Sequence, residues 1–276
     1  NRENADSIAG AAEKYLARAT LAERAVHRYV RAVIDRRGSD AVRAASDFVT
    51  LQPGSMEAPL LLANVALSTR QPQLALSALA RLDPNRGLNL GSSYYWQFRS
   101  EAMRQLGKVA DAIADAREGA RRFPRDPSMA LTLASVYAAG GRADEVRALL
   151  DRIPTAFALH GYVSGVPALV WSGHRTEAEA LARDGLLRAS TDSIGNATTA
   201  LWHGYLLLLN SRWSELEALT GRWGTSSDVE VDMALKSLRG ISLVRLGRVA
   251  DALAVDSLMA KAAAPTARAY ADFSRA

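Results

Sequence analysis

Apolar residues recur along this chain at three- and four-residue spacing in blocks about a dozen residues long, and each block is closed by a turn signal. Residues 1–18 read as a first helix that Asp6 or Ser7 can cap, with Ala11, Tyr15 and Leu16 on one face; residues 21–37 read as a second, ended by Gly38. A third covers 39–50 and is stopped by Pro53 and Gly54. The next pair covers 56–69 and 73–82 and is closed by Asp83, Pro84 and Asn85, with a longish loop over 85–91. Residues 93–126 form the clearest single unit. Trp96 fills the space between helices, Gly107 permits a left-handed turn, Ala112 lets two backbones approach, and Pro124 stops the second helix. The following unit carries Tyr137, Gly141 and Val146 and closes at Pro154. Further pairs are 158–171 with 175–189, 197–209 with 213–223, and 229–246 with 249–262. Pro265 starts a partial helix through Tyr270 and Phe273, which points to a fragment ending inside a larger protein or beside a disordered tail.

The turns fall at Gly38, Gln71, Gly107, Gly141, Gly173, Ser211 and Gly247, separated by 33, 36, 34, 32, 38 and 36 residues. Five positions after Gly107, Gly173 and Gly247 stand Ala112, Ala178 and Ala252, and after Gly141 stands Val146. A period near 34 with a small residue at fixed depth is that of stacked helical hairpins. One hairpin cannot bury its apolar face alone, so the expected fold is all-α: a right-handed superhelical solenoid of about seven antiparallel helix pairs. Its expected organisation is one domain over 1–276, with N-terminal helices in 1–38, repeats in 39–264 and the start of a further helix in 265–276.

Composition narrows the functions. Hydrophobic residues make up 49% and charged residues 23%, enough apolar surface to order every repeat. The formal charge of +5 comes from 34 basic residues interleaved with 29 acids. The densest basic run, Arg121, Arg122 and Arg125, flanks a turn containing Asp126 and has no aromatic stacking pattern beside it, so no nucleic acid is expected on this region. The four lysines, Lys14, Lys108, Lys236 and Lys261, together with the many alanines reflect genomic base composition. Absence of cysteine excludes thiolate chemistry and disulfides, and it tilts the compartment toward the periplasm or cell surface. Residues 153–174 and 193–211 lack Asp, Glu, Lys and Arg, yet prolines, glycines, Asn196, Thr198, Thr199 and His203 make them too polar and interrupted for membrane spans.

These residues also carry a family likeness. The array resembles tetratricopeptide-like domains, with the strongest match over 93–151 and again over 229–262. More narrowly, the whole chain is similar to the carboxy-terminal repeat region of bacterial receptor-like serine/threonine kinases and of some transcriptional activators. The segments are Leu21 to Ala25, Tyr95-Trp96 followed by Leu106-Gly107, Gly173-His174, Ser211-Arg212-Trp213 and Leu246-Gly247-Arg248. Asn64, where a small residue is usual, and Gln71, where glycine is usual, depart from the repeat consensus. The resemblance implies a protein-binding region coupled to an effector domain.

No catalytic constellation emerges. His27, His160, His174 and His203 show no metal-binding helical pairing and read as structural or surface residues. Ser164 within 161–165 sits one position off a nucleophile elbow. The acid pairs Asp144 with Glu145 and Glu177 with Glu179 are placed on solvated helix faces. The chain is therefore expected to be non-enzymatic, without metal or cofactor. A solenoid of this class offers a concave groove lined by the first helix of each pair. Turn register places Tyr94, Gln97, Glu101 and Arg104 there from one unit, then Ser128, Thr132 and Ser135, and later His160, Trp171, Trp202 and Tyr205. Aromatic residues beside polar ones suit a protein or peptide segment. Trp171 and Trp202 fit packing between pairs somewhat better, whereas Trp213 and Trp223 are placed in the core. Two other readings remain open: an exported scaffold or assembly factor, and a small-molecule sensor near Trp171 and Trp202. Bare terminal repeats also permit self-association.

Overall fold

The expected turns form, and seven of them take the left-handed backbone conformation that reverses a chain between two helices. In the computed structural model, which describes residues 2–87, 92–153, 155–188, 194–223, 226 and 228–261, every element assigned is helical and there are fifteen of them. They are α1 (Arg2–Glu13), α2 (Leu21–Ile34), α3 (Gly38–Leu51), α4 (Glu57–Ser68), α5 (Pro72–Leu79), α6 (Tyr94–Gln105), α7 (Val109–Arg122), α8 (Pro127–Ala139), α9 (Ala143–Leu150), α10 (Thr155–Trp171), α11 (Arg175–Arg188), α12 (Ile194–Leu209), α13 (Trp213–Trp223), α14 (Val229–Arg245) and α15 (Val249–Lys261). The partial helix expected from Pro265 lies outside the described residues.

Consecutive helices pack as hairpins: α2 on α3, α4 on α5, α6 on α7, α10 on α11 and α14 on α15. Alternate helices also touch, α4 with α6, α10 with α12 and α12 with α14, which is the stacking that defines an α-solenoid. The left-handed residues within these hairpin turns are Arg36, Arg70, Gly107, Gly141, Gly173, Ser211 and Gly247, with φ between 56° and 89°, and Gly87 at φ 60° is a further one in the segment after α5. Two expected turn positions are thereby corrected. Gly38 opens α3 instead of ending α2, and Gln71 caps α5 while Arg70 makes the reversal. Gly38 is needed for close approach, since a Cβ there would lie 2.7 Å from Thr69 Cγ2. The first helix is also shorter than expected, ending at Glu13, and residues 14–19 form turns before α2. Thr20 then starts α2 through a reciprocal cap: its hydroxyl accepts from the Glu23 N–H at 3.2 Å, and Glu23 accepts from the Thr20 N–H at 2.7 Å.

The chain divides into two compact units, residues 1–136 and 137–276. In the first, alanines at helix crossings (Ala41, Ala45, Ala63, Ala66, Ala75 and Ala102) bring backbones close around Leu79, Tyr95, Trp96 and Met129. Trp96 is buried, as expected, and its ring carries the Arg122 guanidinium 4.8 Å from its centroid. In the second unit Tyr162, Val166, Leu169 and Leu181 are fully buried, and Ala197, Ala200, Trp223 and Leu235 form a further cluster. Trp213 is only half-buried, covered by Arg245, where a core position was expected.

Candidate functional site

The residues singled out from the sequence fall into two groups, one in each unit, and the two groups differ in what already occupies them. On α6, the first helix of its hairpin, Tyr94 is 56% exposed and stacks on Phe98 one turn later, with ring centroids 5.6 Å apart. The other three positions have intramolecular partners. Gln97 donates to Ser93 Oγ at 2.7 Å. Glu101 accepts both arms of the Arg104 guanidinium, at 2.7 and 2.6 Å, and also accepts from Gln105 at 2.8 Å. A bidentate pair of this kind fixes both side chains. On α8 the Ser128 N–H donates to Asp126 Oδ1 at 2.8 Å and the Thr132 hydroxyl donates to the Ser128 carbonyl at 2.8 Å; Ser135 is half-buried. Ser93, buried, ties the start of α6 to Asp126 just before α8.

The second unit brings three of its four candidates into contact. Trp171, the last residue of α10, meets Trp202 of α12 edge to face at 5.7 Å and 89°, and Trp202 meets Tyr205 at 5.9 Å and 62°. Trp171 remains 65% exposed and Tyr205 is exposed, so the rings pack between hairpins and face solvent at the same time. His160 lies on the same face of α10, eleven residues and about 16 Å nearer its start, and is not part of this ladder. Leu209, four residues after Tyr205 and 57% exposed, extends the stripe along α12. Helical spacing from Trp202 and Tyr205 carried the signal that would have identified it.

A buried polar cluster behind this face escaped the sequence reading. Glu179, placed on a solvated face by its position in α11, is largely covered: Arg212, from the turn into α13, pairs with it, and Arg183 pairs with it at 2.6 Å. His203 Nε2 stands 3.8 Å from the same carboxylate, and neither ring nitrogen has a hydrogen bond. Burial pushes the His203 imidazole below its ordinary value, with Glu179 opposing that shift and Arg183 and Arg212 adding to it. Charges from two hairpins meet here only in three dimensions, which local pattern does not reveal. The remaining candidates for chemistry resolve simply. The Ser164 hydroxyl donates to the His160 carbonyl inside α10, and Asp144 is solvated. Among the described residues no group of three or more metal-ligating side chains converges, and no helix is long and apolar enough to cross a membrane.

Residues 57–160 match the profile of a family described as tetratricopeptide repeat. No curated protein matches the chain. Several solved structures are similar to it. One is the APC/C hetero-tetramer Cut9-Hcn1, at 11% identity over 90% of this chain and 48% of that one, with a TM-score of 0.46. Another is the apo form of RapI, at 9% identity over 86% and 75%, with a TM-score of 0.48. A third is a tetratricopeptide repeat protein from Parabacteroides merdae ATCC 43184, at 16% identity over 79% and 86%, with a TM-score of 0.43. The chain spans about half the length of the first. Residues 57–160 thus carry a tetratricopeptide repeat match, and the stacked hairpins around them are those of an α-solenoid.

Proposed function

We propose that this domain is a non-enzymatic interaction module that holds a segment of a partner protein on the aromatic face of α10 and α12. The observation that carries the reading is the Trp171–Trp202–Tyr205 ladder, large apolar rings held in contact with one another yet left open to solvent. Exposed aromatics in fixed positions lose little side-chain entropy on binding and supply most of the energy of small interfaces. Tyr94, Gln97, Glu101, Arg104, Ser128, Thr132 and Ser135 form a separate and more polar surface of the same kind in the first unit. In the finer form of this reading, binding is coupled to an attached effector domain, as the sequence resemblance to receptor-like kinases and activators suggests.

The test compares proteins captured from the native host by the unmodified chain and by a Trp171→Ala/Tyr205→Ala variant whose thermal melt shows it to be folded. A partner present with the first and lost with the second is the expected result. Identical partner sets would overturn the assignment.

A further inference from the structure

We infer that the cavity between α11 and α13 binds a small aliphatic monoanion, a single carboxylate on an unbranched apolar chain. This cavity is separate from the aromatic ladder and has a volume of about 450 Å³. Three helices build it. Arg183, Leu186 and Leu187 line it from α11, and Glu215, Leu219 and Arg222 line it from α13, each set at the spacing of one helix face. From α12 come His203 and Leu207, which lie roughly 150° round that helix from Trp202, Tyr205 and Leu209. Leu207 and Trp223 are buried in the wall, and Leu187 stands 83% exposed at the rim. A mostly apolar cavity with a few fixed polar groups is the usual form of a small-molecule site.

The charges set the sign of the ligand. Arg183 and Arg212 are matched by Glu179 and Glu215, at 2.6 Å in each pair. Arg222 has a ring beside it instead of a carboxylate: its guanidinium lies 5.4 Å from the Trp223 centroid, which steadies it without neutralising it. Burial keeps the His203 imidazole below its ordinary value, so it adds no charge at neutral pH. The neighbouring helices bring matched pairs. From α14, packed on α12 and α13, Arg239 meets Glu217 at 3.8 Å and Lys236 meets Asp232 at 2.6 Å; from α9, packed on α11, Arg147 meets Asp184 at 2.7 Å. None of these residues lines the cavity. Three arginines against two glutamates therefore leave one positive charge beside an apolar wall, the complement of a monoanion with an apolar body. A peptide C-terminus carries the same head, but its backbone amides would be pressed unpaired against Leu186, Leu187 and Leu219. At about 30 Å³ per water-sized group the cavity holds roughly fifteen such groups, and α13 spans about 10.5 Å from Glu215 to Arg222, room for an acid of about eight to ten carbons.

The probe is octanoate labelled with ¹³C at the carboxyl, titrated into the full chain and followed by its carboxyl resonance and by calorimetry. Its comparators are octanol, octylammonium, acetate and an apolar hexapeptide with a free C-terminus. One octanoate per chain is expected, with every comparator at least about tenfold weaker. Arg222→Gln is expected to weaken octanoate about tenfold and Leu187→Ser about threefold, both at exposed positions that the fold does not depend on. Raising salt from about 50 to about 500 mM is expected to weaken it several-fold, since Arg222 is open to solvent. The Trp171→Ala/Tyr205→Ala variant is expected to bind octanoate with unchanged affinity, which keeps this test distinct from that of the aromatic face. Equal binding of octanol, tighter binding of octylammonium or the peptide, or full affinity in Arg222→Gln would each overturn the inference. So would many equivalent sites per chain, or loss of octanoate from the Trp171→Ala/Tyr205→Ala variant.

Discussion

The face of α6 and the face of α10 and α12 begin from the same place in the repeat, yet one is held by polar bonds among its own side chains and the other by a ladder of aromatic rings. On α6, Gln97 donates to Ser93 and Glu101 accepts from both Arg104 and Gln105, leaving Tyr94 stacked on Phe98 as the main exposed apolar group. On α10 and α12 no residue is an Asp, Glu, Lys or Arg, and the rings of Trp171 and Tyr205 stay exposed beside Trp202. On the proposed reading, a helix face is open to a partner where its large side chains stay exposed, as Trp171 and Tyr205 do, more than by its place in the hairpin.

The sharpest way to break this contrast uses two tryptophans. Trp96→Ala empties a buried site and is expected to cost about 3–5 kcal/mol in urea unfolding followed by circular dichroism. Trp171→Ala removes an exposed ring and is expected to cost about 1 kcal/mol, the worth of one edge-to-face pair. Similar losses would show that the ladder is core after all.

The turns give a smaller effect. Gly107 has φ +73° and nothing within 4 Å of an added Cβ, so Gly107→Ala should cost about 1–2 kcal/mol through backbone strain alone. Arg70→Gly and Ser211→Gly, at φ 58° and 56°, should gain about 0.5–1 kcal/mol, whereas Gln71→Gly should not stabilise. Stabilisation by Gln71→Gly instead would restore the expected register. Glu101→Gln opens the half-exposed pair with Arg104 and should cost no more than about 1 kcal/mol. A larger loss would mean that α6 depends on that pair to fold.

The least of the expected effects is a slope. His203 is held neutral by burial, so its folded value lies below the ordinary 6.5 while the unfolded chain protonates normally. As pH falls through 6.5 the unfolded state binds the extra proton and stability drops; above that range the penalty is absent. Melting temperature should decline on acidification there, and His203→Phe should flatten the decline. An unchanged slope in that variant would assign it to other groups.

Much of this was legible in the sequence because repeats are local. Gly107, Gly141, Gly173 and Gly247 announce the turns that φ values then report, and Trp96 and Ala112 are buried where their spacing places them. Arg36 and Arg70 were missed because an arginine at a left-handed position leaves no compositional mark, and the neighbouring Gly38 has a different task beneath Thr69. The aromatic residues of the ladder were also legible, since Trp202 and Tyr205 share a helix face and Trp171 ends the preceding first helix. The burial of Glu179 was not, because its partners Arg212 and His203 come from the next hairpin. Helical pattern reports the face of one helix and says nothing of which charge a neighbouring hairpin delivers to it.

The most direct test of the central claim places a photo-crosslinking amino acid at position 205 in one version of the protein and at position 94 in another, with both expressed in the native host. The account predicts a discrete protein adduct at position 205 at several times the yield found at position 94, and its disappearance when Trp171→Ala is added. An adduct formed mainly at position 94, or one at 205 that Trp171→Ala leaves intact, would contradict it.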